Sequence, residues 1–471
     1  MKKIKIGFMP LYIALYDQIN TTRRIPCLAY MDRFRKAFKE AGIEVVDADV
    51  CRIDSEFKAA CENFAKEDID VLVTYHMAYS PSLESIEAVK KLGKPVIIAD
   101  STPTYDFVAS ASTKDDTGIN HGIHGVQDFT NLLKRNKIPY VIETGHIDYS
   151  DIAERLIDDI KAAAAARKFL GGLRTAAVGG EFQGMGDFRK TPAELKADFN
   201  QVVEAFDLKS FKKYYDAVTE EEIAAEIKAD KKYFSIPKKI DPQVWHDETK
   251  TGLALAKWLE ENKFDAFTVN FLGTGSKGLP KMPFAAICKI IARQGLGYAG
   301  EGDTLTAGLV GALGAFFDET TFTEMFCPCW KNDVIFVSHM GEMNINVAVN
   351  NKFDKPVLYE TGFRWTDAGA TVSVGARFQD GPATLINLAP QEDGKYKIIA
   401  SEVDFIPVDD MNGPYKTEIR GWFAPCMPVA DFLEAWSNEG GTHHSALVYG
   451  VGAKAIKTFA KFTGIEFVEI V

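Results

Sequence analysis

The sequence predicts an α/β protein: two doubly wound (Rossmann-like) α/β domains followed by a β-rich, antiparallel, barrel-like C-terminal domain. Three observations carry this. Over the first two thirds of the chain, short apolar runs alternate with helical patterns, as crossover helices returning to a parallel sheet require. Gly171-Gly172 interrupts the alternation once, and a second cycle starts after it. Beyond residue 325 the texture changes to short β-rich runs separated by Gly, Asn, Asp and Pro, the pattern of an antiparallel sheet or barrel. The predicted domains are therefore residues 1–170, 171–325 and 326–471, the last completing the functional site.

Residues 4–9 read as the first strand, and residues 30–41 as a helix that ends at Gly42. Residues 43–50, 71–75, 95–99 and 139–143 are the next strand candidates, with helical segments between them and a long helix over 149–169. The second cycle opens with a strand at 175–178. A helix over 192–206 follows, with Thr191 placed to cap it and Pro192 at its first position. Residues 212–217 are a strand candidate, and the acidic stretch 219–232 is a solvated helix face. A helix over 241–262, a buried strand over 266–271 and a helix over 305–317 complete this part. In the last third, residues 371–374, 383–388 and 396–403 are strands.

At 471 residues the chain has room for several cores. A net charge of −12 argues against a nucleic-acid partner, which needs a basic face. No apolar stretch approaches the roughly 18–20 residues that span a bilayer, so no membrane partner is expected. The start, Met1 to Phe8, has too short an apolar run for a signal peptide. Seven unevenly spaced cysteines fit reduced thiols better than a disulfide framework, and the predicted location is cytoplasmic. Cys327-Pro328-Cys329 has no second ligand pair at zinc spacing and is read as packed thiols.

Four residues stand out in the last third. Glu301 lies in Gly300-Glu301-Gly302-Asp303, and Glu324 in Thr321-Phe322-Thr323-Glu324-Met325, one before and one after the 305–317 helix. His339 ends the apolar run that starts at Val334, and His444 belongs to Gly440-Gly441-Thr442-His443-His444. Mixed oxygen and nitrogen ligands suit a divalent first-row cation with an open position. Each residue also has a structural reading. Glu301 can serve the positive end of a helix, with Asp303 as an ordinary N-cap. Glu324 can be a surface residue, His339 a hydrogen-bonded core histidine, and His443-His444 a turn.

A competing motif is Gly273-Thr274-Gly275-Ser276-Lys277-Gly278, which matches G-x-G-x-x-G after a strand candidate; residues 295–300 match it again. The alternative it supports is an NAD(P)-dependent oxidoreductase. Pro280 and Pro283 interrupt the required turn-to-helix junction, so the loop also reads as the lining of a small-molecule cleft. A non-catalytic sugar-binding protein is the third reading.

Taken together, the contexts of Glu301, Glu324, Ser338-His339 and Gly440-Gly441-Thr442-His443-His444 resemble the L-arabinose isomerase branch of the L-arabinose/L-fucose isomerase superfamily. His124-Gly125, Asp128-Phe129 and Thr144-Gly145-His146 resemble stretches of the family's first domain. The resemblance implies a metal-dependent aldose–ketose isomerase that works through a cis-enediolate. It implies Glu301, Glu324, His339 and His444 as ligands of one divalent metal, usually Mn²⁺ in the family. Glu301 and Glu324 double as the catalytic pair, and a homo-oligomer of trimer or hexamer type brings His124 into a neighbouring copy's site. His124, Gln127, Tyr12, Glu181 and His443 are the expected sugar-binding residues. The chain departs from the family at Gln127, where an arginine is usual, at Pro10-Leu11-Tyr12 and at residues 179–185. These departures imply a sugar substrate other than L-arabinose.

Overall fold

Each apolar run of the first cycle becomes a parallel strand: β1 (Lys5–Leu11), β2 (Glu44–Asp47), β3 (Val71–His76), β4 (Val96–Asp100) and β5 (Tyr140–Thr144). They pair in the order β2-β1-β3-β4-β5, every pair parallel. β3 and β4 are buried throughout, as strands covered on both faces must be. The computed structural model describes residues 3–108, 114–408 and 414–471. It divides into two compact units, Lys2–Arg167 with Lys457–Gly464, and Lys168–Ile456 with Ile465–Val471. Among the described residues no helix is long and apolar enough to cross a membrane.

The second unit opens with another parallel sheet: β6 (Arg174–Val178), β7 (Val202–Ala205), β8 (Ala266–Val269) and β9 (Gly297–Gly300), ordered β7-β6-β8-β9. Thr191 caps the helix Pro192–Phe199 in a capping box with Glu194. That helix stops earlier than the sequence predicts, because Asn200 turns left-handed (φ 58°) and the chain enters β7. Residues 212–217 are not a strand. They finish the helix Leu208–Asp216, whose start is fixed by the Asp207 carboxylate accepting from the N–H groups of Lys209 and Ser210. Phe211 and Tyr214, three residues apart, bury one face of it.

The acidic stretch is also more than a solvated face. It forms the helix Glu220–Tyr233, in which Asp230 is 1% exposed and lies 2.9 Å from Lys289 Nζ, with Glu226 2.7 Å from the same ammonium. Close by in this network, Glu248 is fully buried, its Oε1 accepting from the Ala286 N–H at 3.1 Å. Burial pushes the Glu248 carboxyl up to about 8 from an ordinary 4.5. The folded protein therefore keeps a proton that the unfolded chain releases. Stability falls as pH rises from about 4.5 to about 8. Glu248→Gln keeps the acceptor and removes the ionisation. Its melting temperature should gain on the wild type as pH rises from about 4.5 to about 8, whereas parallel curves would refute the effect.

The second unit also holds a nine-stranded sheet of β10 (Thr320–Cys329), β11 (Val334–His339), β12 (Val357–Thr361), β13 (Thr371–Arg377), β14 (Gly381–Pro390), β15 (Tyr396–Phe405), β16 (Ile419–Pro425), β17 (His444–Tyr449) and β18 (Glu466–Glu469). The path β16-β11-β10-β17-β14-β15 returns to β16, and each step is antiparallel. A closed antiparallel barrel results, which removes the open edges. Ile335, Val337, Leu385, Phe405, Phe423 and Leu447 belong to one apolar core. Cys327 and Cys329 are not packed thiols: the register shifts between Met325 and Cys327, Cys327 is exposed and Cys329 half-buried. Phe326 and Trp330 share that hairpin end and are exposed as well.

Candidate metal centre

Glu301 follows β9 directly, at the carboxyl end of a parallel sheet whose strand order reverses between β6 and β8. Such ends are where open α/β sheets bind ligands. Its backbone is left-handed (φ 62°), a conformation that costs a non-glycine residue about 1–3 kcal/mol and persists only when its surroundings enforce it. Here they do. The Glu301 N–H donates to the Val269 carbonyl, and the Phe182 N–H donates to the Glu301 carbonyl, both at 3.1 Å. Gly300 before it must be glycine, since a Cβ there would stand 2.7 Å from Cε1 of His339.

The other three residues come from the barrel. Glu324 comes after a helix, as its context suggested, but it is not a surface residue, being 12% exposed. It sits within β10, opposite Ser338 on β11 and His444 on β17. His339 ends β11 and His444 begins β17. One ligand atom from each of Glu301, Glu324, His339 and His444 can be chosen so that all lie within 4.8 Å of one another. Nε2 of His444 is 2.8 Å from Oε1 of Glu324 and 3.4 Å from Oε2 of Glu301, and Nε2 of His339 is 3.5 Å from Oε1 of Glu324.

Each imidazole is backed by a further carboxylate. Nδ1 of His444 faces Oδ2 of Asp303 at 2.9 Å, while Oδ1 of Asp303 accepts from the Thr306 N–H and caps the helix Thr304–Gly314. Asp303 is thus an N-cap, as expected, and a histidine partner too. Nδ1 of His339 faces Oε2 of Glu342 at 2.6 Å, and the Tyr298 hydroxyl donates to the other Glu342 oxygen. Phe322 meets both rings edge-on, at 4.7 Å from His339 and 4.8 Å from His444.

The electrostatics ask for a cation. Four carboxylates, Glu301, Glu324, Asp303 and Glu342, surround two imidazoles, and all six side chains are at most 13% exposed. Nε2 of His444 is buried and out of line for a hydrogen bond, despite its two close carboxylate oxygens. Burial alone would lower His444, yet Asp303, Glu301 and Glu324 hold it well above its ordinary value. Burial would likewise lower His339, and Glu342 raises it. Burial would raise Glu301, but the imidazoles of His443 and His444 hold it down at about 2. Both histidines keep Nε2 on the side of the glutamates, with Nδ1 of His444 hydrogen-bonded to Asp303 and Nδ1 of His339 close to Glu342 but out of line for a hydrogen bond. This is the arrangement by which proteins orient imidazole ligands toward a metal. The donor set therefore fits a divalent cation.

The remaining sequence candidates fall in two places. Glu181 and His443 belong to the same unit as the cluster. Oε2 of Glu181 accepts from Arg189 Nε at 2.8 Å, and Nε2 of His443 lies 4.0 Å from Oε2 of Glu301. Tyr12, His124 and Gln127 belong to the first unit. Tyr12 is buried just after β1, and His124 and Gln127 are exposed one turn apart on the helix Gly122–Arg135. Tyr298, Glu342, Asp187 and Phe188 were not singled out by the sequence. The glycine-rich loop is filled from within the chain. Asp367 Oδ1 accepts from the Ser276 N–H at 2.9 Å, and Gly275 (φ 72°) leaves room for that carboxylate where a Cβ would collide with it.

Residues 190–316 match the L-arabinose isomerase central domain, and residues 319–466 the L-arabinose isomerase C-terminal domain. An L-arabinose isomerase of Halalkalibacterium halodurans is 26% identical over 86% of this chain and 81% of its own length. The corresponding enzyme of Geobacillus kaustophilus is 24% identical over 88% of this chain and 84% of its own. That of Cellvibrio japonicus is 25% identical over 85% and 80%. The chain is an aldose–ketose isomerase by class. It belongs to the L-arabinose isomerase branch of the L-arabinose/L-fucose isomerase superfamily, whose two domain patterns together span more than half of its length.

Proposed function

We propose that Glu301, Glu324, His339 and His444 bind one divalent cation, Mn²⁺ by family likeness, and that the chain interconverts an aldose and a ketose through a cis-enediolate. The observation that carries this reading is the convergence of the four ligand atoms within 4.8 Å, with each imidazole backed by a carboxylate. When bound, the cation supplies electrostatic stabilisation for charge that develops on the two sugar oxygens. The protein's own residues move the protons. One glutamate takes the proton from C2 of the aldose and returns it to C1, while the second carries the hydroxyl proton between O2 and O1. One C–H bond breaks and one forms, so no oxidant or reductant is needed. Seven free thiols support a reducing, cytoplasmic setting. The likeness also carries a homo-oligomer, with exposed His124 reaching a neighbouring copy's site. Sedimentation equilibrium that finds only a monomer would remove that part.

A panel of aldoses with added Mn²⁺, read as ketose formation, tests the function. The altered periphery at Tyr12, Gln127 and Glu181 predicts that another aldose, or a substituted one, exceeds L-arabinose in kcat/KM. Equal or better turnover of L-arabinose would sink the substrate prediction. No turnover of any sugar would sink the enzymatic reading.

A further inference from the structure

We infer that the segment joining β6 to the helix Pro192–Phe199 is a clasp for the histidine pair, with Asp187 positioning His443 and Phe188 positioning His444. The inference rests on the proposed metal-dependent isomerisation and deepens it. Both residues lie outside the family-matched span 190–316.

Consecutive residues of the segment hold consecutive histidines. Oδ2 of Asp187 accepts from the His443 backbone N–H at 2.9 Å and faces its Nδ1 at 2.7 Å. The contact of Nδ1 with Asp187 fixes the ring and turns Nε2 toward Glu301, 4.0 Å away. Phe188 stacks on His444 with ring centres 4.5 Å apart and planes 8° from parallel. It is 4% exposed, while Gly186, Asp187 and Arg189 around it are exposed, so the stack is what draws it in. The other end of the segment holds Glu301 through the Phe182 N–H. One loop therefore touches three residues of the centre.

The two histidines are held for different tasks. The His444 side chain is 0% exposed and closes the ligand set, whereas that of His443 is 39% exposed and can meet an arriving sugar. Asp187 should then act on turnover and Phe188 on metal affinity. Partners that orient the side chains of a metal site cost about 10–100-fold when lost, and the same scale is taken for these two.

The test compares kcat, KM, Mn²⁺ affinity by calorimetry and melting temperature for single variants of the full chain. In Asp187→Ala, kcat should fall about 10–100-fold while KM and Mn²⁺ affinity stay within about threefold. Asp187→Asn keeps an oxygen for Nδ1–H and should recover part of the loss. Phe188→Ala should weaken Mn²⁺ binding about tenfold, with activity restored by excess Mn²⁺, and Phe188→Tyr should bind as the wild type does. Wild-type kcat in Asp187→Ala, or a loss that only follows its melting temperature, overturns the role of Asp187. Wild-type Mn²⁺ affinity in Phe188→Ala overturns that of Phe188. If the wild type isomerises no aldose, the function fails separately. The clasp is then read from the Phe188 affinities and from the ¹⁵N shifts of the His443 ring, which should change in Asp187→Ala and overturn the clasp if they do not.

Discussion

Glu301→Gln and Glu324→Gln should each lower turnover about 10²–10⁴-fold at saturating metal, the range that general acid–base groups contribute. Glutamine keeps the shape and one acceptor oxygen, so the packing around either residue should survive. It removes the negative charge and the group that carries a proton. Loss of charge weakens the cation, and excess Mn²⁺ can correct that. Loss of the proton carrier cannot be corrected by metal, which is why the deficit should persist at saturation. Glu301 has a further constraint, because its left-handed backbone is held by Val269 and Phe182 and aims one side chain at the cluster. Glutamine tolerates that backbone no worse than glutamate, so a folding defect is not expected. Steady-state kinetics over a Mn²⁺ titration, with affinity measured separately, decides the matter. Near-normal kcat for Glu324→Gln with metal bound would contradict its catalytic role.

The four candidate ligands were legible because each has a short, distinctive neighbourhood. Glu301 lies between two glycines, His339 ends a strand pattern, and His444 follows Gly440-Gly441. The barrel was legible from short β-rich runs between turn residues. Glu324 was read only as following a helix, although the threonine-rich run of residues 320–323 carried the β-branched signature of the strand it occupies. Residues 212–217 misled in the opposite direction: Tyr214 and Tyr215 favour strand, but the Asp207 cap and the buried Phe211 impose a helix. The supporting residues were hidden for a topological reason. Asp303 looks like an N-cap and is one, while its histidine partner is 141 residues away. Asp187 is 256 residues from His443. No local pattern reports contacts of that span, because they form where segments that follow strands of the parallel sheet meet the start of β17.

Removing an imidazole should have a different signature from removing a glutamate. His444→Ala and His339→Ala should chiefly weaken Mn²⁺ binding, and excess Mn²⁺ should restore part of the rate. The larger effect is expected at His444. Its loss deletes a ligand and leaves Asp303, Glu301 and Glu324 facing one another without the imidazole between them. His339 is faced by two carboxylates, Glu342 and Glu324, and Glu342 keeps the Tyr298 hydroxyl as a partner when the ring goes. Asp303→Asn gives the graded comparison. Asparagine caps a helix about as well as aspartate, so the Thr306 N–H stays bonded and only the charge on Nδ1 of His444 is lost. That variant should lose about 10–100-fold in affinity, and His444→Ala at least as much. A melting curve reads the same equilibrium without turnover, since a ligand at 100 times its Kd stabilises the fold by about 2.7 kcal/mol. The wild type should gain stability with Mn²⁺, Asp303→Asn should need more metal for the same gain, and His444→Ala should show little. A Mn²⁺-dependent shift in His444→Ala equal to that of the wild type would remove His444 from the ligand set.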